Sequence, residues 1–378
     1  MKGWKRSAAA LLTLLPLLTG CRGPGEYLSY AREMEDMTLI RALGIDLEGE
    51  GVLVTASSGL QSGGADREAV PPEVLSARSE TVSGAVVAMQ SYGTSYVFFG
   101  HVGELLLGET MARDGLAQAL DYVERDVEMR LDVGLFVVRG EAGQAMGALA
   151  GEKSSAAERL EALEDDTGLN GATMERSVRQ VLADLGASGA SFAPAVVLLP
   201  QEEGDGAGGE GNLVSAGYAI LKEEGLAGWA AGEAALGVNL LLGRVEADIL
   251  TAGPTGTALR VVEARTGVKP VFDGERLTGL EVDCRVEANV AQAPAGLDAA
   301  ALETLRTALE ETEKRRLEAA LELSRTLNAD FMGLKKRSGL AAPWHWAKLR
   351  EQWDDVFEDL DIRVTVKGRI QRGYDLAG

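Results

Sequence analysis

The chain has 378 residues, 46% hydrophobic and 25% charged, with 58 acidic against 37 basic side chains and a net charge of −21. The apolar fraction excludes a disordered or collagen-like chain, and the length calls for two or three domains, since one core seldom grows past about 250–300 residues. The acidity argues against a nucleic-acid binder, and two cysteines with two histidines exclude a disulfide scaffold and a Cys-rich zinc module.

Lys2, Lys5 and Arg6 precede the largely apolar run Ala8 to Leu18. That run is shorter than the roughly 20 residues needed to cross a bilayer and has the form of a secretory signal peptide. It ends in Leu18-Thr19-Gly20-Cys21, which resembles the bacterial lipobox, where the signal is cut off and a diacylglycerol is joined to the cysteine thiol. On that reading residues 1–20 are the signal peptide, Cys21 is the lipidation site and residues 21–26 are a tether. The plainer alternative is an incidental cysteine. Cleavage removes three positive charges and no negative one, so the mature body is expected to be repelled by anionic headgroups and to stand off the membrane.

Residues 27–200 alternate strand-like and helix-like stretches. Ile40 to Asp46 and Val52 to Ser57 read as strands around the turn Glu48-Gly49-Glu50-Gly51, and residues 61–72 as an exposed loop. Val82 to Gln90 fits a short helix, Tyr96 to Leu107 two strands or one bent one, and Met111 to Arg125 a helix with Leu116, Leu120 and Val123 on one face. A strand over Asp132 to Arg139, helices near 142–163 and 174–185, and a buried-type strand at Ala195 to Leu199 complete the region, which forms one domain or two.

Residues 201–211 contain five glycines and four acids and read as an exposed loop or interdomain linker. Gly204 to Gly209 fits the GxGxxG spacing of dinucleotide sites. Its acidic flanks would repel a phosphate, however, and no helix follows to receive one. Residues 212–378 form the C-terminal domain. Hairpin strands at Val214–Leu221 and Leu226–Ala230 and a short helix at Glu233–Leu242 are followed by strand signals at 247–251, 258–264, 268–272 and 277–290, which read as an antiparallel meander. A long helix from Ala299 to about Phe331 follows, with Asp298 as N-cap and Leu302, Leu305, Leu309, Leu317, Leu321 and Leu327 as its stripe. The strand Ile362 to Ile370 closes the chain. The fold class is α+β, with mixed or antiparallel sheets and packed helices in two or three consecutive domains.

Little reads as chemistry. Cys284 shares the apolar face of an alternating strand with Val282, Val286 and Val290, as a small buried hydrophobe. His101, among apolar residues, reads as a structural histidine, and His345 as interfacial or exposed. No HExxH, GxSxG or paired Cys/His spacing is present, so no catalytic residue, metal ligand or cofactor is expected. The charges along 303–325 read as a solvated helix face with ion pairs.

The end of the long helix and its sequel carry a resemblance. Asp330-Phe331-Met332-Gly333, Pro343-Trp344-His345-Trp346, then Trp353, Phe357 and the closing strand resemble the C-terminal domain of the Ger(x)C family, lipoprotein subunits of nutrient germinant receptors in spore-forming bacteria. Arg32 to Asp36, Gly44-Ile45-Asp46, Phe98-Phe99-Gly100-His101, Gly108-Glu109 with Ala112, and Arg125-Asp126 resemble its earlier blocks in the same order. The chain departs where Arg22 and Gly23 follow Cys21 in place of the family's aromatic, for which Tyr30 can stand in.

The resemblance implies a non-enzymatic, lipid-anchored receptor subunit on the outer face of the inner spore membrane, acting in receptor assembly or signal transmission during germination. Its implied partners are a permease-like and a larger integral-membrane subunit. Trp344, Trp346 and Trp353 either cover the end of the long helix or form an aromatic partner interface. The rival function is a solute-binding lipoprotein of a membrane transporter, with two α/β lobes around a cleft.

Overall fold

The computed structural model describes residues 37–59, 72–92, 95–150, 155–165, 173–200, 211–245, 248–253, 256–293 and 297–371. The expected loop at 61–72, the glycine-rich stretch at 201–210 and everything before Met37, Cys21 included, lie wholly or mainly outside these residues.

An eight-stranded sheet forms the larger unit. Its strands are β2 (Ala42–Glu48), β3 (Gly51–Ser57), β4 (Val74–Ser79), β6 (Glu104–Leu107), β7 (Gly134–Val138), β8 (Ala190–Leu199), β9 (Asn212–Lys222) and β10 (Gly225–Ala230), in the order β10-β9-β8-β7-β6-β2-β3-β4. A small parallel pair, β1 (Met37–Leu39) with β5 (Tyr96–Phe98), lies beside it. The central pairs β2–β6, β6–β7 and β7–β8 are parallel, and antiparallel strands extend both edges. Parallel neighbours need crossovers, and crossover helices cover both faces, which explains why Leu105–Leu107 and Leu135–Val138 are apolar at every position.

On one face α1 (Val82–Met89), α2 (Glu109–Asp114), α3 (Leu116–Arg125) and α6 (Val178–Ser188) bury Leu105, Leu107, Leu135 and Val137. On the other, α4 (Ala142–Ala148) and α5 (Ala156–Asp165) bury Leu106, Phe136 and Val138. The helix expected over 111–125 is two helices, because Gly115 ends the first against Met111 and begins the second. Leu199 pairs with Asn212, so the strands on either side of the glycine-rich stretch are neighbours in this sheet.

The C-terminal unit starts with α7 (Glu233–Leu242), followed by β11 (Asp248–Ala252), β12 (Thr257–Asp273) and β13 (Arg276–Gln292) as an antiparallel meander. The two strand signals at 258–264 and 268–272 are one 17-residue strand, since Gly267 continues the ladder opposite Asp283. Next come α8 (Ala299–Thr326), α9 (Leu334–Ala341), a 3-10 turn (Pro343–His345) and α10 (Trp346–Val356), before β14 (Asp361–Gln371). β14 pairs parallel with β13, so α8 to α10 form a crossover and the sheet is mixed.

Asp298 caps α8 by accepting from the Ala301 amide at 2.7 Å. α8 stops at Thr326, short of the expected Phe331. Asn328 takes a left-handed φ of 44°, and the Ser324 hydroxyl donates to the Ala329 carbonyl at 2.6 Å. β13 alternates buried and exposed residues, with Val282, Cys284 and Val286 under the helices. Burial raises the Cys284 thiol to about 11, in keeping with a packing role.

One core joins the units. Phe192 of β8 meets Tyr218 of β9 and Phe331 edge-on, with ring centroids 5.1 and 6.3 Å apart, among side chains of α7 to α10. Gly237 lets α7 close on α8, because a β-carbon there would strike the Arg316 carbonyl oxygen. Gly237→Val is expected to cost about 2 kcal/mol or more through overpacking, measured by denaturant unfolding, while Gly267→Ala, with open space around it, costs less than half of that.

Candidate functional site

The segment carrying the C-terminal resemblance folds into a helical corner beside the four-stranded sheet. Asp330 is buried, and its carboxylate accepts from the Leu334 amide at 2.6 Å and the Lys335 amide at 2.8 Å. It thereby satisfies two of the donors that a helix start leaves unpaired. Gly333 precedes α9 at φ 68°, a conformation that favours glycine, which accounts for the Asp330-to-Gly333 pattern. Burial pushes the Asp330 carboxyl up to about 7 although the two amides pull it down.

The chain then reverses at Pro343. The Trp346 ring lies against Gly339 of α9, where a β-carbon would collide with the indole. His345 is half-buried and stacks on Phe272 of β12, with centroids 4.6 Å apart. α10 is held to the β12–β13 turn by a Lys348–Glu275 ion pair and by Gln352, which donates to the Glu275 carbonyl and accepts from the Leu277 amide, each at 2.9 Å.

The three tryptophans separate here. Trp353 is 2% exposed and stacks on Phe357 at 5.2 Å, so it belongs to the core at the end of α8 and cannot reach a partner. Trp344 is 78% exposed, and Trp346 is partly so. Trp353 therefore drops out of the expected aromatic interface, because the buried face of α10 carries it inward with Leu349.

The N-terminal blocks are likewise structural. Asp46, buried at the end of β2, accepts from the Ala142 and Gly143 amides, both at 2.7 Å, and starts α4 as Asp330 starts α9. Gly108 leaves the space that this carboxylate occupies. His101, read as a histidine among apolar residues, is exposed, with its ring 5.9 Å from Phe98.

Two buried charge groups escaped the sequence. Glu313 and Arg316 of α8 turn inward, paired at 2.9 Å, and Arg316 also bonds Asp248 of β11. These two residues correct the reading of 303–325 as a wholly solvated face. The signal was available, since Leu305, Leu309, Glu313, Leu317 and Leu321 recur at every fourth position and place Glu313 on the apolar stripe. Burial raises Glu313 to about 7 against the pull of Arg316. The other group is Glu104, which faces Glu164 across Gly134; burial first, and then the Glu164 charge, raises its carboxyl far above the ordinary range.

At the junction of the units lies an open cleft of about 390 Å³, lined by Arg176, Asp184, Phe192, Phe331, Lys336 and Arg337 among others. Arg176 is already engaged by Asp184 and by the Phe192 ring. Among the described residues no group of three or more His, Cys, Asp or Glu could hold a metal, and no helix is long and apolar enough to cross a membrane.

Comparison with known proteins gives this architecture a family. Residues 30–198 match the spore germination protein N-terminal domain, and residues 216–374 match the spore germination B3/GerAC-like C-terminal domain. The chain belongs to the GerAC-like spore germination family. YfkR of Bacillus subtilis (strain 168), provisionally described as a spore germination protein, is 21% identical over 307 residues, covering 79% of this chain and 78% of YfkR. The crystal structure of the GerBC protein has the same α+β fold, with a TM-score of 0.55 and 16% identity over 87% of this chain and 96% of that one. In this GerAC-like chain the recognisable Asp and Gly positions hold helix starts, close approaches and a turn.

Two outcomes follow from the buried carboxyls. Asp330→Ala leaves two buried amides unpaired and is expected to destabilise by about 1–3 kcal/mol in chemical denaturation. Glu104 has a raised pKa when folded, so its contribution is fully present below the ordinary carboxylate range and is lost as pH climbs through the raised value. Glu104→Gln is expected to melt close to the parent at acidic pH and above it at alkaline pH, by about 1–3 kcal/mol in stability.

Proposed function

We propose that the chain is the lipid-anchored, non-catalytic subunit of a spore nutrient germinant receptor, held by acyl chains on Cys21 on the outer face of the inner spore membrane. The observation that carries this reading is order. A lipobox-like Leu18-Thr19-Gly20-Cys21 stands just ahead of two germination-family domains that follow one another from residue 30 to residue 374. The protein assembles with integral-membrane receptor subunits, one permease-like and one larger, and acts in assembly or in passing on the signal. Its Asp and Gly motifs are occupied in holding helices, which supports a scaffold role.

The solute-binding alternative calls for two α/β lobes around a cleft. The smaller unit here is a mixed four-stranded sheet that shares one core with the larger unit, and the cleft at the junction is lined by an Arg176–Asp184 pair. Both features favour the receptor reading.

The test is isolation of the tagged protein from detergent-solubilised spore membranes after fatty-acid labelling. Label on Cys21 and co-purifying permease-like and larger membrane subunits are expected. Recovery with transporter components instead overturns the reading. Cys21→Ala is expected to lose the label, leave the membrane fraction and slow nutrient germination while keeping the parent's melting temperature.

A further inference from the structure

The acidity of this protein is uneven. From Leu334 to Arg350 the chain carries Lys335, Lys336, Arg337, Lys348 and Arg350 and neither Asp nor Glu, within a protein of net charge −21. Between the two groups of cations runs Leu340-Ala341-Ala342-Pro343-Trp344-His345-Trp346-Ala347. Leu340 is 75% exposed and Trp344 78%, and Ala341, Pro343, Trp346 and Ala347 are exposed with them. A lone exposed apolar residue needs no explanation, but this many side by side at one corner form a patch.

Each helix of the corner carries a cation beside an apolar side chain. Lys336 and Leu340 are four residues apart on α9, as are Trp346 and Arg350 on α10, so each pair lies on one helix face. The Trp346 ring over Gly339 brings the two helices together. Lys335 and Lys348 are engaged by Asp354 and Glu275. Arg337 is half-buried and donates to the Met332 carbonyl. Lys336 and Arg350 are exposed and, among the described residues, make no ion pair.

We propose that this corner is a membrane-surface contact, in which Leu340, Trp344 and Trp346 enter the headgroup boundary of an anionic bilayer and Lys336 and Arg350 face lipid phosphates. Indole rings favour that boundary, and exposed Lys and Arg are drawn to an anionic leaflet. The rest of the body is acidic and is repelled by the same surface, so the charge pattern selects one orientation. The proposal rests on the anchoring of Cys21. The 16 residue steps from Cys21 to Met37 can span at most about 55 Å.

The experiment places the mature lipidated protein, which has lost Trp4 with its leader, on phosphatidylcholine vesicles with or without phosphatidylglycerol. Brominated acyl chains serve as quenchers. Tryptophan emission is expected to be quenched on the anionic vesicles and far less on neutral ones, and the quenching is lost with Trp344→Phe and Trp346→Phe. Lys336→Glu with Arg350→Glu lowers the apparent affinity for anionic vesicles about tenfold or more. All four positions are exposed, and an unchanged melting temperature shows that the fold survives.

Flotation of the parent against Cys21→Ala reads the anchor, whereas quenching reads the corner, so the two failures are distinguishable. Quenching that persists in Cys21→Ala at higher vesicle concentration leaves the contact standing without the anchor. Unquenched emission on anionic vesicles overturns the proposal, as does a photocrosslinker at position 344 that captures a membrane subunit in place of lipid.

Discussion

A buried carboxylate that receives two backbone amides at a helix start is the interaction on which both units depend. Asp46 does this for α4 and Asp330 for α9. Neither helix could begin where it does with its first donors facing an apolar core unpaired. The carboxylates come from outside the helices that they cap, Asp46 from a strand nearly a hundred residues earlier in the chain. Asp46 therefore fixes the position of α4 on its sheet as well as its start, and Asp330 fixes how α9 leaves the end of α8. The position of α9 in turn sets the reversal at Pro343, the seat of Trp346 on Gly339 and the corner that carries Trp344.

Much of the fold was legible from local pattern. The β2–β3 hairpin, the β9–β10 hairpin, α7, the Asp298 cap and the buried face of Cys284 follow from period, turn residues and capping chemistry, each of which acts over a few residues. What local pattern did not reveal was decided at a distance. The parallel partner of β14 lies on the far side of the whole crossover from α8 to α10. The length of α8 was set by a left-handed Asn328 and a Ser324 hydroxyl, neither of which breaks an apolar stripe. Glu313 turns inward because Arg316 and Asp248 meet it there, and Asp248 belongs to another element.

The candidate site was legible in part. The tryptophan-rich segment stood out by composition, but three indoles close in sequence do not share a surface when a helix turns one of them inward. His101 shows the converse, since apolar neighbours in the chain left it exposed. The Asp and Gly positions that carry the family likeness hold amides and close approaches, so the likeness transmits a shape more than a chemistry.

The place of β14 has a consequence for biogenesis. Until its eleven residues are delivered, the 17-residue β13 is an open sheet edge with its outer backbone groups unpaired. Such edges invite pairing with other chains. The four-stranded sheet is therefore completed only after the helical crossover has been made, and the ladder it must close joins residues far apart in sequence, a slow kind of contact to form. A chain that ended before Asp361 would leave that edge bare and open to pairing with a neighbour.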